Sequence, residues 1–115
     1  MSGNLVDAVS PYERWALRQF ARDVQYMQQG GLAPSVVRAF MRGLRAEDTF
    51  ASAMQQDLVA VIDAKQFEIV IGHPLPRRFD RVIVGTQSYA VQEWRPAPAV
   101  PPFVFFKILV RGSQQ

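Results

Sequence analysis

Apolar and polar positions divide the chain into one stretch of helical period followed by runs of strand character. From Pro11 to about Arg22, Tyr12, Trp15, Ala16, Leu17 and Phe20 recur near helical spacing, with Glu13, Arg14, Arg18 and Gln19 on other faces. This predicts an amphipathic helix. Ser10 ahead of Pro11, with Glu13 three residues beyond Ser10, forms a capping-box pattern. Trp15 and Phe20 are expected to pack on the body of the domain. From Asp23 the chain alternates through Val24 and Tyr26 to the turn pair Gly30-Gly31, and Pro34 to Gly43 supplies the return strand of a hairpin. On that strand Val37, Ala39 and Met41 share one face, and Val36, Arg38, Phe40 and Arg42 share the other.

Leu44 to Asp57 is polar, rich in small residues and without alternation. A weak helix is expected from about Ala46 to Gln55, capped by Asp48 or Thr49. So long a connection is unusual in a small β domain, which makes it the candidate moving part, the other reading being an ordinary crossover. Strand character resumes at Leu58 to Ala64. Lys65 to Gly72 either continues that strand after a bend or forms a separate short element, before Gly72-His-Pro-Leu-Pro breaks the chain. Asp80 to Val84 and Ser88 to Trp94 pair across Gly85-Thr-Gln, and Phe103 to Arg111 returns. In this last run Val104, Phe106, Ile108 and Val110 align on one face and Phe103, Phe105, Lys107, Leu109 and Arg111 on the other. A strand apolar on both faces fits a barrel wall covered by a helix or a partner. The expected fold is mainly β: one domain over residues 1–115, with a small antiparallel β-barrel at about 23–112, one N-terminal α-helix at about 11–22, and a long polar loop at 44–57.

At 115 residues, 49% hydrophobic and 20% charged, the chain suffices for one core and argues against wholesale disorder. There is no cysteine, which removes disulfides, thiolate metal sites and a cysteine nucleophile together. The first residues lack the basic start and apolar stretch of a signal peptide, and no apolar run approaches the roughly 20 residues a membrane span needs. A soluble protein that remains where it is made, with no membrane association, is expected. The net charge of +3 is carried by arginine, Lys65 and Lys107 being the only lysines. Guanidinium forks suit fixed ion pairs and interfaces, and their scatter here falls short of a strong nucleic-acid footprint.

Candidate chemistry is sparse. His73 is the only histidine and sits in an expected loop between Gly72 and Pro74, without the partners a metal site needs. Glu47-Asp48 are adjacent in a polar loop rather than convergent on a pocket. Gly30-Gly31 joins two strands and has no helix N-terminus to cradle phosphate. No catalytic, cofactor-binding or metal-binding residues are predicted, and no cofactor. Phe40 with Arg38 and Arg42, and Trp94 with Arg95, could stack single-stranded nucleic acid on a small barrel or anchor a protein interface. Trp94 shares its face with Ser88, Ala90 and Gln92, away from Tyr89 and Val91, which points it outward.

Taken in order, the helix, Phe20-Ala-Arg-Asp-Val-Gln-Tyr, the Gly-Gly hairpin into Ser35-Val-Val-Arg-Ala-Phe-Met-Arg, the polar loop, Arg78-Phe-Asp-Arg-Val-Ile-Val-Gly-Thr-Gln-Ser-Tyr-Ala-Val and Phe106-Lys-Ile-Leu-Val-Arg resemble the head-closure (stopper, or head-tail joining) proteins of long-tailed bacteriophages. The resemblance spans most of residues 20–112 and rests on Asp80, Gly85, Tyr89, Val91 and Arg111. The stretch Pro96 to Pro102 departs from the family's shorter turn. The resemblance implies a structural virion protein, not an enzyme, forming a homo-oligomeric ring at the head-tail connector. Its partners would be portal or adaptor proteins and tail proteins, with contact to packaged DNA, in the virion and, during assembly, the host cytoplasm. The loop residues Leu44, Arg45, Glu47, Asp48, Phe50, Met54, Gln55 and Asp57 would face the channel. Arg38, Phe40, Arg42, Trp94, Arg95, Phe103 and Phe105 are the candidate partner interface. If the loop gates the channel, deleting Ala46 to Gln55 should leave folding intact but yield heads that leak DNA or fail to join tails. The alternatives are a single-stranded nucleic-acid-binding barrel and another tail or baseplate subunit.

Overall fold

A computed structural model describes residues 11–31, 33–45, 48, 50–72, 75–98 and 102–112, and among these residues six strands and two helices form. They follow the order α1 (Pro11–Phe20), β1 (Arg22–Met27), β2 (Ser35–Gly43), β3 (Leu58–Asp63), α2 (Ala64–Ile71), β4 (Arg81–Val84), β5 (Gln87–Ala97) and β6 (Phe105–Gly112). The strands close into a barrel in the order β1-β2-β3-β6-β5-β4, every neighbouring pair antiparallel, with β4 returning to β1. The expected mainly β fold, an antiparallel barrel with an N-terminal helix, is the fold observed. The helix ends at Phe20 rather than Arg22, because Arg22 already pairs with Ala39 in the sheet.

Two hairpins set the register. Gly30 takes φ 80° in the β1–β2 connection, where Gly31 N–H donates to Gln28 O at 2.8 Å. In the β4–β5 hairpin Val84 pairs with Gln87, so the turn is the two residues Gly85-Thr86. Gly85 supplies the positive φ of 62° that such a turn needs at its first position.

The separate element after β3 is helix α2. Asp63 accepts from Gln66 N–H at 2.9 Å as its N-cap, and Gly72, left-handed at φ 77°, closes its C-terminus. Ala64, Phe67 and Ile71 share one face and plug the barrel end, joining Val24, Tyr26, Val37, Ala39, Ala60, Ile62, Val82, Val91, Phe106, Ile108 and Val110 in the interior core. Phe67 stands edge-on to Tyr26 at 5.0 Å and to Phe106 at 5.6 Å, geometries that favour aromatic pairs. The helix therefore carries the chain from β3 to β4, two strands that are not neighbours, while filling the barrel's mouth.

A second apolar layer lies outside the barrel. Val59, Val61, Phe105, Leu109, Ala97 and Phe50 cluster there, with Leu17, Phe40, Leu44 and Val104 packed against them. Helix α1 crosses β2 and β3 over this layer. That is why β3 and β6 are buried on both faces.

One irregularity reorganises β5. Val91 pairs with Val110, Glu93 with Leu109 and Trp94 with Ile108, so Gln92 is the extra residue of a β-bulge. The bulge inverts the phase beyond it: Trp94 turns to the interior and meets Phe106 edge-on at 5.5 Å, correcting its expected outward direction.

Candidate interaction surface

The face that α1 buries is set by a carboxylate and a small residue. Glu13 and Ala16 are buried, whereas Tyr12, Trp15 and Phe20 are 46%, 45% and 56% exposed. The expectation that Trp15 and Phe20 pack on the body is overturned. Ala16 lets the helix sit close, and Glu13 reaches Arg42 on β2, Nε to Oε2 at 2.7 Å. Ser10, the expected cap, lies outside the described residues. Arg42 also donates to both oxygens of Asp48, at 2.8 and 3.0 Å. Burial works against its charge, but the bonds to Asp48 and Glu13 outweigh it and raise its pKa. Asp48 is likewise opposed by burial, yet Arg42 and the Arg45 N–H hold it below its ordinary value. Arg42 does share the outer face of β2 with Phe40, as expected, but α1 covers it. It is an internal cation and is corrected as an interface residue.

The loop 44–57 folds back onto the barrel. No helix occurs among its described residues, a correction to the expectation over Ala46 to Gln55; Ala46, Glu47 and Thr49 lie outside them. Polar anchors replace helical bonds. Asp48 accepts from Arg45 N–H at 2.7 Å, and Leu44 and Phe50 pack in the outer apolar layer. Glu93, turned outward by the bulge, accepts from Ala51 N–H, Ser52 N–H and Ser52 Oγ. These bonds overcome its burial and lower its pKa. Asp57, buried, accepts from Arg111 Nε at 2.8 Å and Nη2 at 2.9 Å and from Met54 N–H at 2.9 Å; Arg111 chiefly lowers its pKa. Of the candidate channel residues, Asp48, Phe50 and Asp57 thus point inward, Leu44 and Arg45 are half-buried, and Met54 and Gln55 lie in the exposed stretch 51–56.

The candidate partner interface is divided in the same way. Phe105 is fully buried in the outer layer and is corrected as an interface residue. Phe103 is half-buried and packs at 5.9 Å from Phe106, with Trp94 on the same core. Arg95 is half-buried, and Arg38 is exposed. Phe40 is half-buried but joins a surface that the sequence reading did not assemble. Tyr12 and Trp15 lie 6.0 Å apart, Trp15 and Phe20 5.3 Å, and Phe20 and Phe40 6.3 Å, with the Arg45 guanidinium 4.7 Å from the centre of the Tyr12 ring. Three exposed rings, with half-buried Phe40 at one end, form a continuous ridge. Contiguous apolar surface of this kind marks interaction sites, and tryptophan, tyrosine and arginine dominate interface energetics. Helical periodicity identifies the three rings of α1, but it does not show which flank is covered.

The residues behind the family resemblance serve the fold. Buried Asp80 accepts from Tyr26 Oη at 2.6 Å, Gln29 N–H at 2.8 Å and Arg77 N–H at 3.1 Å, tying the β1–β2 turn to the approach to β4. Burial and then Asp80 push the Tyr26 hydroxyl's pKa far up. Gly85 makes the hairpin, Val91 is core, Arg111 holds Asp57, and Tyr89, on the inner core, pairs with Gly112. Among the described residues no group of three or more His, Asp or Glu side chains is placed to hold a metal, and no helix is long and apolar enough to cross a membrane. His73 lies outside them. No family model, curated protein or solved structure matches the chain.

Proposed function

We propose that this chain is a structural virion subunit, a head-closure protein of a long-tailed bacteriophage. It assembles as a homo-oligomeric ring on the portal or adaptor, closes the DNA-filled head and presents the surface to which the tail attaches. The observation that supports this reading is the aromatic ridge of Tyr12, Trp15 and Phe20 on a helix clamped to the barrel by Glu13 and Arg42, continued by Phe40 on β2. A rigid helix presenting large rings at little entropic cost is suited to holding neighbours in a fixed array. Among the described residues of the long loop, exposed residues 51–56 are the part available to the channel and its DNA.

The test is assembly. Trp15→Ala with Phe20→Ala should keep the melting profile of the parent while weakening self-association in sedimentation velocity. It should also fail to convert DNA-filled heads lacking the subunit into tailed particles. A double variant that restores tailed, DNA-tight particles as well as the parent does would overturn the reading.

A further inference from the structure

On the flank of α1 opposite the Tyr12-Trp15 edge, a groove separates the helix from the start of α2 and the entry to β6. Two cavities of about 500 and 170 Å³ make it up, joined through their shared lining residues Leu17, Arg18 and Asp63. Leu17, Ala21 and Val104 give it an aliphatic floor, and Arg14, Arg18 and Arg38 stand along it. Asp63 is the one acidic residue among those lining it, and its carboxylate caps α2.

The charges here are unbalanced for a reason already visible in α1. Its only acid, Glu13, is turned under the helix to Arg42, so Arg14 and Arg18, one turn apart, face outward with no ion pair among the described residues. Like charges at this spacing repel. Arg38 donates to Ala21 O at 2.7 Å and lies 3.7 Å from exposed Asp23, a contact that solvent screens. Anionic groups from outside the chain would balance all three. Guanidinium forks match carboxylates in a bidentate fashion, and the aliphatic floor suits leucine- or valine-like side chains between those carboxylates.

We infer that this groove docks an acidic segment of a partner protein, with carboxylates on Arg14, Arg18 and Arg38 and apolar side chains on Leu17, Ala21 and Val104. Single-stranded nucleic acid fits less well, because base stacking needs exposed rings. Phe105, the only ring among the described residues lining the groove, is fully buried, and exposed Tyr12 and Trp15 lie on the helix's other flank. The inference deepens the assembly reading and rests on it only in taking the partner to be a protein.

Fluorescence anisotropy with a labelled peptide of repeating Glu-Glu-Leu tests it on the full chain, beside a Lys-Lys-Leu peptide and an oligothymidylate. The acidic peptide should bind the parent, and more weakly as salt rises. Arg14→Glu with Arg18→Glu should lower affinity by at least about tenfold, with Arg38→Gln lowering it less, and none of these changes should alter the melting profile. Trp15→Ala should leave peptide binding unchanged while weakening self-association, so failure of the groove and failure of the ring are separately visible. Absence of acidic-peptide binding at low salt, equal binding by the charge-reversed variant, or tighter Arg14- and Arg18-dependent binding of oligothymidylate would each overturn the inference.

Discussion

Arg42 Nε donates to Glu13 Oε2 at 2.7 Å, joining residues 29 positions apart with both side chains nearly excluded from solvent. Asp48 completes the cluster from the loop, so one guanidinium fastens the helix and the loop to the barrel wall. Removing the cation strands two buried carboxylates. Arg42→Met is expected to cost roughly 3–5 kcal/mol, since breaking a buried pair is far costlier than replacing it whole. Arg38→Met, at an exposed pair, should cost about 0–1 kcal/mol. Urea unfolding followed by circular dichroism checks both; equal, small losses would refute the clamp.

Acid should loosen the loop first. Asp48, Asp57 and Glu93 have folded pKa values below their ordinary 3.8, 3.8 and 4.5. A depressed folded value contributes stability that is present above the unfolded pKa and lost as pH falls through the folded one. The urea midpoint should therefore hold near neutrality and drop as pH passes below the ordinary carboxylate range. Asp57→Asn should reduce that dependence, and an unchanged acid limb in that variant would contradict the assignment.

Phe50 is expected to matter more than any residue at the loop's tip. It covers Val59, Val61 and Leu109, and Phe50→Ala should cost about 3–5 kcal/mol, against roughly ±0.5 kcal/mol for exposed Met54→Ala. Deleting Ala46 to Gln55 should accordingly destabilise the barrel, contrary to the expectation attached to the loop as a channel gate. Thermal melts of the three variants decide it.

The two tryptophans should respond oppositely to iodide. With Trp94→Phe the remaining exposed Trp15 should be readily quenched and emit to the red. With Trp15→Phe the remaining Trp94, edge-on to Phe106, should be shielded and emit to the blue. The reverse order would place the β5 bulge wrongly.

Period-two and helical patterns make most strands, both hairpins and α1 legible, because those elements bury one continuous face, whereas β3 and β6, buried on both faces, read as apolar runs. What failed depended on contacts distant in sequence. Trp94 was assigned outward by counting alternate residues from Ser88, and a bulge at Gln92 shifts every later position by one without any local mark. Lys65 to Ile71 left its type open because Phe67, Ile69, Val70 and Ile71 suit a strand. Asp63, Gln66 and Gly72 were the available signal for a capped helix. The helix's rings were assigned to the core by hydrophobicity alone, whereas a charge pair with a β2 arginine decides which flank is covered. The same pair withdraws Arg42 from the interface, and the outer layer under α1 withdraws Phe105.

Closure of the barrel has a consequence for how neighbours can be chosen. With β4 returning to β1, every strand has a hydrogen-bonded strand on each side, so among the described residues no strand presents a wholly open edge for another chain to extend. Recognition is left to side chains standing on a finished backbone. Such a vocabulary can be rewritten one residue at a time, so the subunit can change the company it keeps without renegotiating its fold.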